Sequence, residues 1–366
     1  MKFPSLLELG GDQRAVVELS FQGSHVVTGP PGGGKTVMAV YRAWALATAG
    51  REVALLTRYN LLHQYIAQLA PELTEAPRVT TCARWLTSLW REKFESEPPR
   101  SAEDEQRYDW VEMQRSCVLQ GVRVAAHLVV DEGQNLPLGF YRLCRTLGVD
   151  VTVFADENQR IGTEETTLSE VCRTLGAPAT PSELRQDHRS SREIAMLASE
   201  FRMEKRAGLP LPTRSGNLPV VMRVPSLDGL LTGIAQYFNA HQERSIGIIC
   251  RSVRMIREIQ NGLASRGLAM KTQAYVFDDR YRNSMDFSTR PIRIVSTMSM
   301  KGLEFDSVFV PDLDSYTEDP TGVEARLRFL MLCTRAREDL HFAHRGTHEP
   351  PITATIPDAL LARHHS

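Results

Sequence analysis

One octapeptide limits what this chain can fold into more than any other feature. Gly29-Pro30-Pro31-Gly32-Gly33-Gly34-Lys35-Thr36 fits the pattern GxxxxGK[ST]. It follows a short strand-like run, His25-Val26-Val27-Thr28. It opens a stretch from Lys35 to Ala49 that reads as a helix stopped by Gly50. Strand, glycine-rich turn and helix in that order belong to an α/β fold. The glycines let backbone N–H groups converge on phosphate oxygens, and the helix N-terminus adds the positive end of its dipole. In such a loop Lys35 is placed to reach β- and γ-phosphates and Thr36 to ligate Mg²⁺.

The rest of the chain keeps the same alternation. Val53–Leu56, His127–Val130 and Val151–Phe154 are continuous apolar runs, with a helix predicted over Leu61–Leu69. Runs buried on both faces mark parallel sheets covered by helices. The pattern restarts with strands at Ile246–Ile249, Ile292–Val295, Val308–Val310 and Leu340–Phe342, and helices over Val253–Ala264 and Arg326–Arg337. The length of 366 residues suits two domains. The Pro- and Gly-punctuated stretch Gly176–Pro181 is the expected linker, which gives domains 1–178 and 179–366. Residues 85 to 118 break the alternation. Trp85, Leu86, Leu89, Trp90 and Phe94 recur at helical spacing, so a small helical insertion with an apolar stripe facing the core is expected.

A second element complements the glycine-rich loop. Val129-Val130-Asp131-Glu132 sets an acidic pair at the C-terminal end of a buried strand. Beside a phosphate loop, Asp131 is placed to hold Mg²⁺ and Glu132 to orient and deprotonate an attacking water.

Composition removes several alternatives. Lys and Arg number 43 against 44 Asp and Glu, a net charge of -1, which excludes a histone-like polycation but not a local basic groove. No apolar run approaches the ~18 residues of a membrane span. The first residues, with Glu8 and Asp12, do not resemble a signal peptide, so a cytoplasmic protein that does not engage a membrane is expected. Cys82, Cys117, Cys144, Cys172, Cys250 and Cys333 form no CxxC pair and read as buried apolar residues.

These residues resemble a family. Further short matches follow in order along nearly the whole chain. Gln13 resembles an adenine-reading glutamine, and Thr57-Arg58-Tyr59-Asn60 resembles motif Ia. Asp131-Glu132-Gly133-Gln134 is similar to the DExQ box, and Ala155–Gln159 to motif III. Leu184–Ser190 resembles motif IV, Ser296–Phe305 motif V, and Thr334–Arg337 motif VI. The set resembles superfamily 1 helicase motors of the UvrD/Rep class.

The resemblance implies two tandem RecA-like P-loop NTPase domains with parallel sheets, an α/β class, with ATP and Mg²⁺ as cofactors. Its nucleotide-binding set maps onto Gln13, Gly29, Gly32, Gly33, Gly34, Lys35, Thr36, His188, Gly302 and Glu304. Glu132, Lys35, Gln159, Arg189 and Arg335 carry hydrolysis, and Thr36 and Asp131 hold the metal. In this scheme Gln159 senses the γ-phosphate, Arg189 and Arg335 neutralise it, His188 stacks on adenine and Glu304 bonds the ribose.

The chain departs from the family in several places. Gly133 stands where the family usually has Ala, His188 replaces a Tyr, and Met298 replaces a His. Motif III continues into Arg160-Ile161-Gly162-Thr163-Glu164 without the base-stacking aromatics, a contribution of about 1–3 kcal/mol per base. Tyr59, Trp85 and Trp90 could substitute or could be packed. Arg78, Arg84 and Arg91, or Arg251, Arg254 and Arg257, could line a strand groove or form a solvated face. Both family insertions are reduced, the first to about residues 80–125.

The expected activity is therefore an ATP-driven, 3′–5′ translocase on single-stranded DNA. It would work beside a protein partner, a nuclease or other effector subunit, in DNA repair or anti-phage defence. The alternative is an ATPase switch that signals to or remodels a protein partner, and a third reading is an inactive nucleotide-binding scaffold.

Overall fold

The computed structural model describes residues 8–57, 60–69, 78–104, 107–156, 166–185, 189–202, 211–276 and 284–365. The chain divides into two units, Lys2–Arg185 and Gln186–Ser366.

Among the described residues the first unit carries six strands: β1 (His25–Thr28), β2 (Val53–Thr57), β3 (Arg78–Thr81), β4 (His127–Asp131), β5 (Asp150–Ala155) and β6 (Ser182–Glu183). Their order is β3-β2-β4-β5-β1-β6 and every neighbouring pair is parallel. The division between units falls after the break expected at 178. The cause is β6, which pairs with Val27 and Thr28 and keeps the chain on the first sheet. The Leu184 N–H extends that pairing by donating to the Thr28 carbonyl at 2.8 Å.

The irregular stretch is two helices, Cys82–Phe94 and Trp110–Leu119. Trp85, Leu86, Leu89 and Trp90 are buried in one cluster with Leu128, Val130, Val151 and Phe140. The Trp85 ring meets Phe140 edge-on at 6.2 Å. The aromatic stripe is core, and its two tryptophans offer no face for stacking on a base.

The second unit carries β7 (Val220–Arg223), β8 (Ile246–Cys250), β9 (Thr272–Ala274), β10 (Ile292–Ser296), β11 (Phe305–Val310), β12 (Ala336–His344) and β13 (Ala362–His365). Among the described residues the order is β13-β7-β12-β11-β8-β10-β9, again parallel throughout. The helix expected over Arg326–Arg337 runs from Val323 to Cys333 instead. Its last expected residues already belong to β12, because Ala336 pairs with Phe305 across the ladder. Tertiary pairing here overrides local helix propensity. All six cysteines are buried and none is in a disulfide, and among the described residues no helix is long and apolar enough to cross a membrane.

Candidate functional site

In the first unit the glycine-rich loop leaves the end of β1 and enters the helix Lys35–Thr48. Gly34, the residue before that helix, has φ 86° and ψ 18°, a left-handed conformation that glycine adopts without strain. A side chain there would also collide with Gln13, whose Nε2 lies 2.7 Å from where a Cβ would stand. Gln13 is thus seated against the loop. Its Oε1 accepts the Gly10 N–H at 2.9 Å and closes the first turn of the helix Gly11–Val17.

That helix is tied down from below by Arg42, which is fully buried. The Arg42 guanidinium donates to the carbonyls of Val17, Leu19 and Ser20. Burial lowers its pKa to about 10, which still leaves it charged at neutral pH. Arg42 lies outside every motif, and sequence reading missed it because its acceptors are main-chain atoms.

Lys35 lies close above the loop. Its Nζ donates to the carbonyls of Gly29 at 2.8 Å and Pro30 at 3.0 Å, and pairs with Asp156 Oδ2 at 3.3 Å. The Asp156 N–H in turn donates to Gln134 Oε1 at 3.1 Å, and Gln134 Nε2 donates to Glu132 Oε2 at 2.7 Å. A continuous polar chain therefore joins the loop lysine to the acidic end of β4. Asp156 and Gln134 lie inside motifs legible in the sequence, but their bridging role was not.

Asp131 closes β4 and is 2% exposed. Its Oδ1 accepts the Glu132 N–H at 3.0 Å, while Oδ2 is buried with no hydrogen-bond partner among the described residues. Burial, and then the neighbouring Glu132 carboxylate, push the Asp131 carboxyl up to about 7; the Thr36 hydroxyl, the Lys35 ammonium and the Glu132 N–H act against them. A buried carboxylate oxygen without a donor, near a hydroxyl at a helix start, fits a hard cation that keeps most of its own waters. Thr36 and Asp131 are the protein oxygens that Mg²⁺ would find here.

The second unit gathers a separate group. The β11–β12 register places Glu304 and Arg335 at adjoining strand ends, and the Phe305 N–H donates to the Arg335 carbonyl at 2.9 Å. Arg189 forms an ion pair with Glu304 and donates to the Thr334 carbonyl at 3.2 Å. Arg335 is 3% exposed, with its guanidinium on the carbonyls of Met331 at 3.1 Å and Leu303 at 3.0 Å and on Thr334 Oγ1 at 3.2 Å. Gly302, just upstream, has φ 77°. Arg214 binds the main-chain carbonyls of Arg189 and Arg337 together, a second structural arginine with no signal in the sequence.

Gln13, Gly29, Gly32, Gly33, Gly34, Lys35, Thr36, Asp131 and Glu132 thus share the loop region of one unit, and Arg189, Gly302, Glu304 and Arg335 one region of the other. Gln159 and His188, together with Arg58 and Tyr59 of motif Ia, lie outside the described residues. The basic side chains considered for a strand groove are partly committed elsewhere. Arg251 makes a bidentate pair with Glu318 at 2.9 and 2.6 Å, Arg254 pairs with Glu258 at 2.8 Å, and Arg91 with Glu97 at 2.7 Å. Met298 is exposed.

No family model matches the chain, and no curated protein matches it. Among solved structures the chain is similar to the C-terminal domain of a possible DNA helicase from Lactobacillus plantarum WCFS1. The two share 21% identity over 49% of this chain and 99% of that chain, with a TM-score of 0.38. A likeness that slight carries no argument about this chain.

Proposed function

We propose that the chain is an ATP-hydrolysing motor of the superfamily 1 type, built on two RecA-like domains and acting on single-stranded DNA. The observation that carries this reading is the polar chain Lys35–Asp156–Gln134–Glu132, which links a phosphate-type loop to a carboxylate suited to activating water. In it, loop N–H groups and Lys35 bind the phosphates, and Gln13 takes the adenine edge. Gln134 holds one oxygen of Glu132, leaving the other oxygen to orient a water and accept its proton. Magnesium, held by Thr36 and Asp131, would supply charge neutralisation on the phosphates. Arg189 and Arg335 contribute positive charge toward the γ-phosphate, which requires each to leave acceptors of its own unit.

A second reading is a partner-controlled ATPase switch. It is favoured by the burial of Trp85 and Trp90, by the ion pairs of Arg251 and Arg254, and by Val111, Val118 and Leu119, which stand exposed along one helix.

Steady-state ATP hydrolysis, with and without poly-dT and at two salt concentrations, separates the readings. The motor reading expects many-fold stimulation by the strand, weakening as salt rises. Hydrolysis indifferent to any strand transfers the assignment to the switch. No magnesium-dependent hydrolysis, with or without the strand, overturns both.

A further inference from the structure

Glu132 is one of two non-glycine residues with positive φ among the described residues, at φ 58° and ψ 38°. An L residue is rarely found there, and such backbone persists only where its surroundings enforce it. Here the enforcement is visible. Downstream of Glu132 the chain makes a short 3-10 turn, Gly133–Asn135. The Asn135 N–H donates to the Glu132 carbonyl at 3.0 Å, and the Leu136 N–H to the Gly133 carbonyl at 3.1 Å. The Gly133 carbonyl takes a second, shorter bond at 2.6 Å from the hydroxyl of Tyr141, a fully buried side chain. Both lone pairs of that carbonyl are then used.

We propose that Tyr141, which lies outside every motif, is the positioning residue for Glu132: its hydroxyl pins the Gly133 carbonyl and so fixes the left-handed turn that orients the Glu132 carboxylate. This inference rests on the role proposed above for Glu132. Three features support it. Tyr141 is carried on the helix Leu138–Leu147, with its ring edge-on to Phe140 at 5.4 Å, so the hydroxyl is held by core packing. Burial keeps the phenol protonated far above neutral pH, so it stays a donor. Gly133 also has no Cβ, and one placed there would stand 2.8 Å from the Tyr141 hydroxyl and 2.3 Å from Val153 Cγ1. Only glycine at 133 lets the hydroxyl approach, which gives a physical reason for the departure from the usual alanine.

The test is Tyr141→Phe, which keeps the ring and leaves the Leu136 bond to the same carbonyl intact. Expected is a fall of about tenfold in kcat, smaller than the 10²–10⁴-fold that a positioned base contributes because the base itself remains, with KM for ATP and the affinity for a fluorescent ATP analogue unchanged within about twofold. In a Glu132→Gln background the residual single-turnover rate should not fall further on adding Tyr141→Phe. Gly133→Ala, which displaces the hydroxyl while keeping Tyr141, should lower kcat in the same direction. Wild-type kcat in Tyr141→Phe overturns the proposal, and so does an equal loss in the Glu132→Gln background, since the hydroxyl would then act elsewhere. Wild-type turnover in Glu132→Gln itself removes the base assignment, a failure of the proposed function that is distinct from the other two.

Discussion

Asp156 stands against Lys35, with Oδ2 3.3 Å from Nζ, and the two side chains are only 2% and 10% exposed. The buried carboxylate and the Gly29 and Pro30 carbonyls together hold the loop lysine in place, and the pair couples the stability of the unit to its proposed chemistry.

Removing one member should therefore cost more than removing both. Lys35→Ala is expected to destabilise the first unit by about 3 kcal/mol, because it leaves a buried carboxylate without its ammonium. Adding Asp156→Asn should recover most of that loss while leaving ATP turnover absent. Urea denaturation with parallel ATPase assays checks both, and a double variant no more stable than Lys35→Ala would show that the pair is not the source of the loss.

Arg335 should show two separate effects. Its guanidinium satisfies two main-chain carbonyls and a threonine hydroxyl. Arg335→Ala is expected to cost about 1–3 kcal/mol of stability from carbonyls left buried without a donor. It is also expected to lower kcat by ~10³-fold, as loss of an arginine finger does. Arg335→Lys keeps the charge but not the fork, so it should restore little of either. A change confined to KM would make Arg335 a binding group only.

His127 should make the protein sensitive to mild acid. It is buried at the start of β4, with Nε2 2.8 Å from Thr152 Oγ1. Burial first, then the charges of Arg42, His25 and Arg51, lower its pKa to about 3. The folded pKa lies below the ordinary value of 6.5, so the unfolded chain takes up the proton first. This contribution to stability is complete above pH 6.5 and is lost as pH falls toward 3, by up to about 1.4 kcal/mol per pH unit. Between pH 7.5 and 5 the urea midpoint of His127→Gln should fall less than that of the parent. Parallel curves would exclude His127 as the source.

Eight strands were legible as short, mostly apolar runs: β1, β2, β4, β5, β8, β10, β11 and the middle of β12. Among the described residues five strands went unread: the short interior strand β7 and four edge strands. β3, β6, β9 and β13 close the edges of their sheets, where one side of the ladder is open and a mixed sequence such as Arg78-Val79-Thr80-Thr81 suffices. The loop glycines, Lys35, Thr36 and the acidic pair Asp131-Glu132 stood out in the sequence because they occur at fixed spacing beside apolar runs. Their supports did not. Arg42, Arg214 and Tyr141 act on main-chain carbonyls, and a carbonyl leaves no mark in a sequence.

The six buried cysteines give the molecule an internal record of its own opening. Burial pushes the thiols of Cys144 and Cys250 well up, so in the closed protein they present neither a thiolate nor a path for a reagent. Cys82, Cys117, Cys144 and Cys172 belong to the first unit, Cys250 and Cys333 to the second. Pulsed alkylation read by mass will therefore report, without any added label, which unit loosens first and whether adding ATP changes the order.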